Sequence, residues 1–149
     1  MVSIFCYIVG MNYTNILLSI HPTWAELIYS GQKTVEWRKN MPIQLTVEAV
    51  TKDTVRVYMY ETAPYKAVTG YFNLGGFEPV DVRTLTEDHP LVKRGHVPLA
   101  DLIKYQGDSK CIWAWLVDGN TKYSETKPMF LEDFGLKRAP QSWCYSYRR

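Results

Sequence analysis

The segment Lys110-Cys-Ile-Trp-Ala-Trp-Leu-Val117 is apolar at nearly every position. A strand with one face in water alternates apolar and polar side chains, so this unbroken run reads as a strand covered on both faces. A sheet with material packed on either side is therefore required. The other runs rich in β-branched and aromatic residues are Asn15–Ile20, Thr34–Lys39, Thr54–Glu61, Ala67–Leu74, Phe77–Arg83 and Ser142–Tyr147, and each reads as a short strand. In the last of them Trp143, Tyr145 and Tyr147 alternate with smaller residues, as in a half-buried strand. Asp118-Gly119-Asn120 marks a tight turn.

Three segments carry proline just inside a helix start and glycine just past its end: Pro22 to Gly31, Pro98 to Gly107 and Pro128 to Gly135. Trp24, Leu27 and Ile28 recur at helical spacing in the first, and Leu99, Leu102 and Ile103 in the second. The third holds only a turn or two. Many short strands, few helices and no β-α-β alternation predict an α+β fold, a partly closed β-barrel of about six to seven strands flanked by two or three short helices. The 149 residues, 46% hydrophobic, suffice for one core, and no repeat, low-complexity tract or linker divides them. Residues 1–14 read as an N-terminal extension or an extra edge strand, ahead of one domain over 15–149. Met1–Gly10 is apolar but about half the length of a membrane span, with no basic residue before it, and Met11 offers a second start.

The formal net charge of +2 excludes a strongly basic nucleic-acid binder, so any basic surface must be local. One such surface is the tail, where Lys137, Arg138, Arg148 and Arg149 occur with no acidic residue from Lys137 onward. Five Trp and eleven Tyr exceed what a small core needs, which leaves rings for stacking, Trp143, Tyr145 and Tyr147 among them. Cys6, Cys111 and Cys144 are far apart and odd in number; no metal, no cofactor and a cytoplasmic setting with reduced thiols are expected. His21, His89 and His96 form no triad in order, and His21 flanks the first helix start. Gly75-Gly76 lacks the lysine and hydroxyl of a phosphate loop.

The densest group of charges is Gly31-Gln32-Lys33-Thr34-Val35-Glu36-Trp37-Arg38-Lys39, where the first helix gives way to a strand. Strand alternation puts Thr34, Glu36 and Arg38 on one face and Val35 and Trp37 on the other. Spacing alone leaves two readings open. One is a solvated ion pair contributing at most about 1 kcal/mol; the other is a pair of charges that handles a ligand. The Val57–Phe72 segment adds Tyr60, Glu61, Thr62 and Lys66 around an Ala63-Pro64 turn, either a solvated tip or the rim of a site.

Leu17-Leu-Ser-Ile-His-Pro-Thr-Trp24, a helix, and then Gly31-x-Lys33-x-x-Glu36-x-Arg38 resemble the signature of ASCH domains, relatives of the PUA fold. Val57–Phe72 is similar to that family's next two strands and Arg138-Ala-Pro-Gln-Ser-Trp-Cys-Tyr145 to its closing strand, so the resemblance covers residues 15–147. It implies a PUA-like, partly closed β-barrel whose cleft takes RNA, a nucleotide or a modified nucleoside. The expected lining is Lys33, Glu36, Arg38, Ser19, Tyr60, Gln141 and Ser142. Lys33 and Arg38 can hold phosphate or base oxygens, while Glu36 can accept from an amino group on a base edge.

Some ASCH-like proteins are hydrolases, among them a bacterial amidohydrolase that deacetylates N-acetylcytidine with a lysine base and a threonine nucleophile. The resemblance places that threonine where this chain has Glu36, and a further glutamate where it has Lys93. The expectation is therefore an RNA- or nucleotide-binding domain that does not associate with membranes. The alternative is a hydrolase, an amidohydrolase or a ribonuclease, acting on a modified nucleoside or RNA through Lys33 and Glu36. A protein-interaction domain is the third reading, and it would need the aromatic surplus gathered in an exposed apolar patch.

Overall fold

The computed structural model describes residues 14–43, 55–118 and 129–146. Its elements run β1 (Thr14–Ile20), α1 (Pro22–Tyr29), β2 (Val35–Arg38), β3 (Val55–Glu61), β4 (Ala67–Val80), a 3₁₀ turn (Val82–Thr84), α2 (Pro90–Gly95), α3 (Leu99–Gln106), β5 (Ile112–Val117), a second 3₁₀ turn (Leu131–Phe134) and β6 (Trp143–Ser146). The six strands form one mixed sheet in the order β2-β5-β4-β3-β1-β6. β1 lies parallel to β3, a pairing that demands a crossover, and α1 and β2 are carried in it. β1 also pairs antiparallel with β6, which brings segments from either end of the described chain side by side.

β4 shapes the barrel. Its first half pairs with β3 and its second half with β5, and the register shifts between Leu74 and Gly76. The sequence divides here into two strands, Ala67–Leu74 and Phe77–Arg83; the structure runs them as one strand ending at Val80, because the Gly75-Gly76 pair makes a bulge instead of a turn. The bend curls the sheet without closing it by backbone hydrogen bonds, as a partly closed barrel requires. β2 and β6 remain its two edges.

Three apolar clusters fill the fold. The inner face gathers Ile16, Leu18, Val57, Met59, Phe72, Leu74 and Trp115 beneath Ala25 and Ile28 of α1. Outside β2 and β5, Val35, Trp37, Ile112 and Ala114 meet Val82, Leu91, Val92 and Leu102 from the 3₁₀ turn, α2 and α3. A third cluster on the outer face of β1 and β3 joins Leu17, Tyr58 and Val68 to Phe134. β5 thus sends Trp115 and Val117 inward and Ile112 and Ala114 outward, which explains its unbroken apolar sequence.

α1 begins with Pro22 at its first turn, and His21 Nδ1 accepts from the Thr23 backbone N–H at 3.3 Å. α2 bears the same proline-first mark at Pro90, yet six residues are too few to display a helical period, so the sequence does not reveal it. α2 closes on His96 in the left-handed conformation, at φ 58°. The third proline-bracketed segment contributes the 3₁₀ turn Leu131–Phe134; Pro128 lies outside the described residues, as do residues 1–13, Gly119-Asn120, Tyr147, Arg148 and Arg149. Cys111 and Cys144 are free and half-buried, and burial pushes the Cys144 thiol up. Cys6 lies outside the described residues.

Gly95 fixes the distance between α2 and β2. A Cβ there would stand 2.5 Å from Trp37 Nε1 and 3.0 Å from its Cδ1, closer than packed atoms approach. Gly95→Ala is expected to lower unfolding free energy by about 1–3 kcal/mol through overpacking. Urea unfolding followed by tryptophan fluorescence measures it, and an unchanged midpoint would mean that the indole has room to retreat.

Candidate functional site

The seam between the two sheet edges is crossed by side chains. Arg38 donates from one terminal guanidinium nitrogen to Ser142 Oγ at 3.1 Å, and from the other to the Ser19 carbonyl at 3.0 Å and to Glu36 Oε2 at 3.2 Å. Beyond it, the Asn40 carbonyl accepts from Trp115 Nε1 at 3.0 Å and Asn40 Oδ1 accepts from Trp143 Nε1 at 2.7 Å. Residues 36, 38 and 40 share the inner face of the edge strand and its continuation, so alternation aims all three across the seam.

Behind Arg38 the charges continue inward. Glu36 Oε1 stands 3.6 Å from Lys33 Nζ and accepts the Trp37 backbone N–H at 3.2 Å. Lys33 Nζ also donates to the Gly95 carbonyl at the end of α2 and lies 5.1 Å from the centre of the Trp24 ring on α1. The side chains of Lys33, Glu36 and Arg38 are 0%, 7% and 13% exposed. A solvated ion pair on a surface strand is thereby overturned: Val35 and Trp37 do face the helices, but the opposite face of β2 is the inside of the barrel mouth, not water. Burial lowers the Lys33 pKa, against the opposing pull of Glu36.

The expected lining residues divide. Ser142 meets Arg38 through its hydroxyl, and Gln141 is exposed beside it. Ser19 meets Arg38 only through its carbonyl, because its hydroxyl donates to the Pro140 carbonyl at 2.6 Å. Tyr60 is not brought to this group; it shares a face with Tyr58 and packs against the third cluster. Thr34 precedes β2, and its hydroxyl accepts from Arg94 Nε at 2.9 Å. Glu61 is buried at the inner end of β3, while residues 63–66 form a solvated tip. Lys137 and Arg138 are exposed on the way to β6. His21 and His89 cap helices, and His96 Nε2 lies 2.8 Å from the Gln32 carbonyl. Among the described residues no three His, Cys, Asp or Glu side chains gather as metal ligands.

Trp24, read in the sequence as a helix-face residue, joins the site through its ring. Asn40, Gly95 and Tyr105 join it without being singled out by the sequence pattern. Tyr105 could have been: Leu102 and Gln106 carry the buried side of α3, which leaves Tyr105 off the stripe. Its ring centre is 5.0 Å from Lys39 Nζ, and burial raises its pKa against the charge of nearby Arg38.

A family model described as the ASCH domain matches residues 18–122. The chain belongs to the ASCH domain family. An ASCH domain-containing ribonuclease from Zymomonas mobilis subsp. mobilis (strain ATCC 10988) is 35% identical over 69 residues, 46% of this chain and 42% of that relative. The aligned stretch is thus less than half of the relative's length. The crystal structure of ASCH from Zymomonas mobilis superposes with a TM-score of 0.68 at 25% identity, covering 89% of this chain and 87% of that one. A serine-to-alanine mutant of the same protein matches with a TM-score of 0.68 at 24% identity, over 90% of this chain and 89% of that one.

The lowered Lys33 pKa has a consequence for the stability of this ASCH domain. Between the folded value and the ordinary lysine value of 10.5, the unfolded chain binds the proton and the folded chain does not, so stability from this group rises with pH. Lys33→Met abolishes that rise. The melting temperature of the native protein minus that of the variant should increase from neutral pH towards pH 10; a difference that is flat or falls would mean the ammonium is not desolvated.

Proposed function

We propose that this ASCH domain binds single-stranded RNA and reads one base against the Glu36–Arg38 pair at the seam. The observation that carries the reading is a carboxylate and a guanidinium held side by side at 3.2 Å, largely desolvated, with a remnant of exposure. A base edge presents an amino donor beside an acceptor, which complements such a pair. Arg38 Nε is buried and has no hydrogen-bond partner among the described residues, so the guanidinium retains a donor. Exposed Lys137 and Arg138 approach the same seam along the chain and would hold phosphates. A free nucleotide or a modified nucleoside would use the base contacts alone. The two free thiols suit work in the cytoplasm, and no helix among the described residues is long and apolar enough to cross a membrane.

Cleavage of RNA is the second reading, favoured by the ribonuclease among the relatives and by the lowered pKa of Lys33. Lys33 Nζ is wholly covered, so a proton would pass between it and a substrate through Glu36. Deacetylation of N-acetylcytidine is disfavoured, because Glu36 occupies the nucleophile's place and the Thr34 hydroxyl is engaged by Arg94.

Glu36→Gln keeps the shape and removes the charge. Its affinity for a fluorescein-labelled single-stranded RNA should fall on the order of tenfold to a hundredfold, with little change in melting temperature. Equal affinities would sink the base-reading role, and shortening of the RNA by the native protein but not by Glu36→Gln would move the second reading ahead. Replacing Lys137 and Arg138 together with Gln should flatten the dependence of log affinity on log salt by roughly 1.4, the share of two phosphate contacts on a single strand. An unaltered slope would remove that segment from the interface.

A further inference from the structure

The Trp37 amide of β2 ends on the Glu36 carboxylate, and just past the strand the Lys39 ammonium lies over the Tyr105 ring of α3, 5.0 Å from its centre. β2 is an edge strand, hydrogen-bonded to β5 alone. The Glu36 carboxylate and the Tyr105 ring therefore mark two ends of one short stretch of chain, with Arg38 between them. Tyr105 is also one of few large hydrophobic side chains left exposed among the described residues, at 37%, and its ring is in contact with the Lys39 ammonium. A partly exposed ring near a base-reading pair can stack on a base with its uncovered surface, and the ammonium over its face can turn to a phosphate.

We propose that Tyr105 and Lys39 form a second nucleotide subsite, in which Tyr105 stacks on the base next to the one read by Glu36 and Arg38 and Lys39 holds the intervening phosphate. This rests on the RNA-binding reading of the seam and extends it from one nucleotide to two. Order along the edge supports the assignment. Lys39 follows Arg38 directly and, by alternation, points to the helix side where Tyr105 stands, so the subsite continues the strand instead of overlapping the first. The charge is complementary as well: Arg38 and Lys39 are adjacent cations, and Glu36 is already engaged by Lys33 and Arg38.

The test uses the full chain, labelled single-stranded RNA octamers of mixed sequence, and the four ribonucleoside monophosphates. Tyr105→Leu keeps apolar bulk without a π face and should weaken octamer binding on the order of tenfold while leaving the monophosphates unchanged. Tyr105→Phe should bind like the native protein, and Lys39→Gln should weaken the octamer alone. Octamer affinity unchanged in Tyr105→Leu would overturn the subsite. So would an equal loss in Tyr105→Phe and Tyr105→Leu, which would assign the effect to the hydroxyl instead of the ring. Glu36→Gln in the same titrations reads the first subsite separately: if it weakens nothing while Tyr105→Leu still weakens the octamer, the base-reading pair fails and the stacking site stands.

Discussion

The guanidinium of Arg38 spans the gap that the curled sheet leaves open. A sheet that bends but does not close exposes two rows of unpaired backbone groups, and such edges pair readily with other chains. Here one planar cation reaches from β2 to the carbonyl of Ser19 on β1 and the hydroxyl of Ser142 just before β6. Its several donors in a fixed fork make that possible, which a lysine could not match. The two indole N–H groups on Asn40 continue the closure further along. Everything that lines the seam is placed by these few bonds.

Behind Arg38, the buried row has no obvious purpose in folding. Taking an ammonium and a carboxylate out of water costs more than their attraction usually returns, and apolar residues of similar volume often serve stability as well. Lys33 is nonetheless enclosed completely, between the end of α2, the Trp24 ring and Glu36. What the row supplies is orientation. Glu36 is held from one side by Lys33 and from the other by Arg38, so its carboxylate has little freedom to turn, and a preset carboxylate loses less entropy when it meets a ligand.

Much of this was legible in the sequence, and what was not has definite causes. Alternation in Val35–Arg38 assigns the two faces of β2 correctly, yet it cannot show that the polar face is roofed by α1 and by β1; burial on that side comes from elements remote in sequence. Tyr60, expected in the lining from the family resemblance, goes with Tyr58 to the outer side, because a resemblance in sequence tells which strand a residue lies on but not which face looks into the barrel. Ser19 is in place, but by its backbone, which no side-chain pattern reports. The glycines of β4 read as a break between two strands because a bulge and a strand end use the same residue, and only pairing with two different neighbours separates them.

The order in which a ribosome delivers the parts gives the seam a history. Arg38 and Ser142 are 104 residues apart, so at typical elongation rates roughly 5–20 s pass between their appearances. During that interval β1 has at most one neighbour of its final two, and the Arg38 fork lacks its hydroxyl acceptor. The seam is thus closed late, by the last of the described strands, although its other edge, β2, is made early. Until then the β1 edge is bare, open to a chaperone or to another nascent copy; in the finished chain β6 covers it, and Arg38 ties the two remaining edges together.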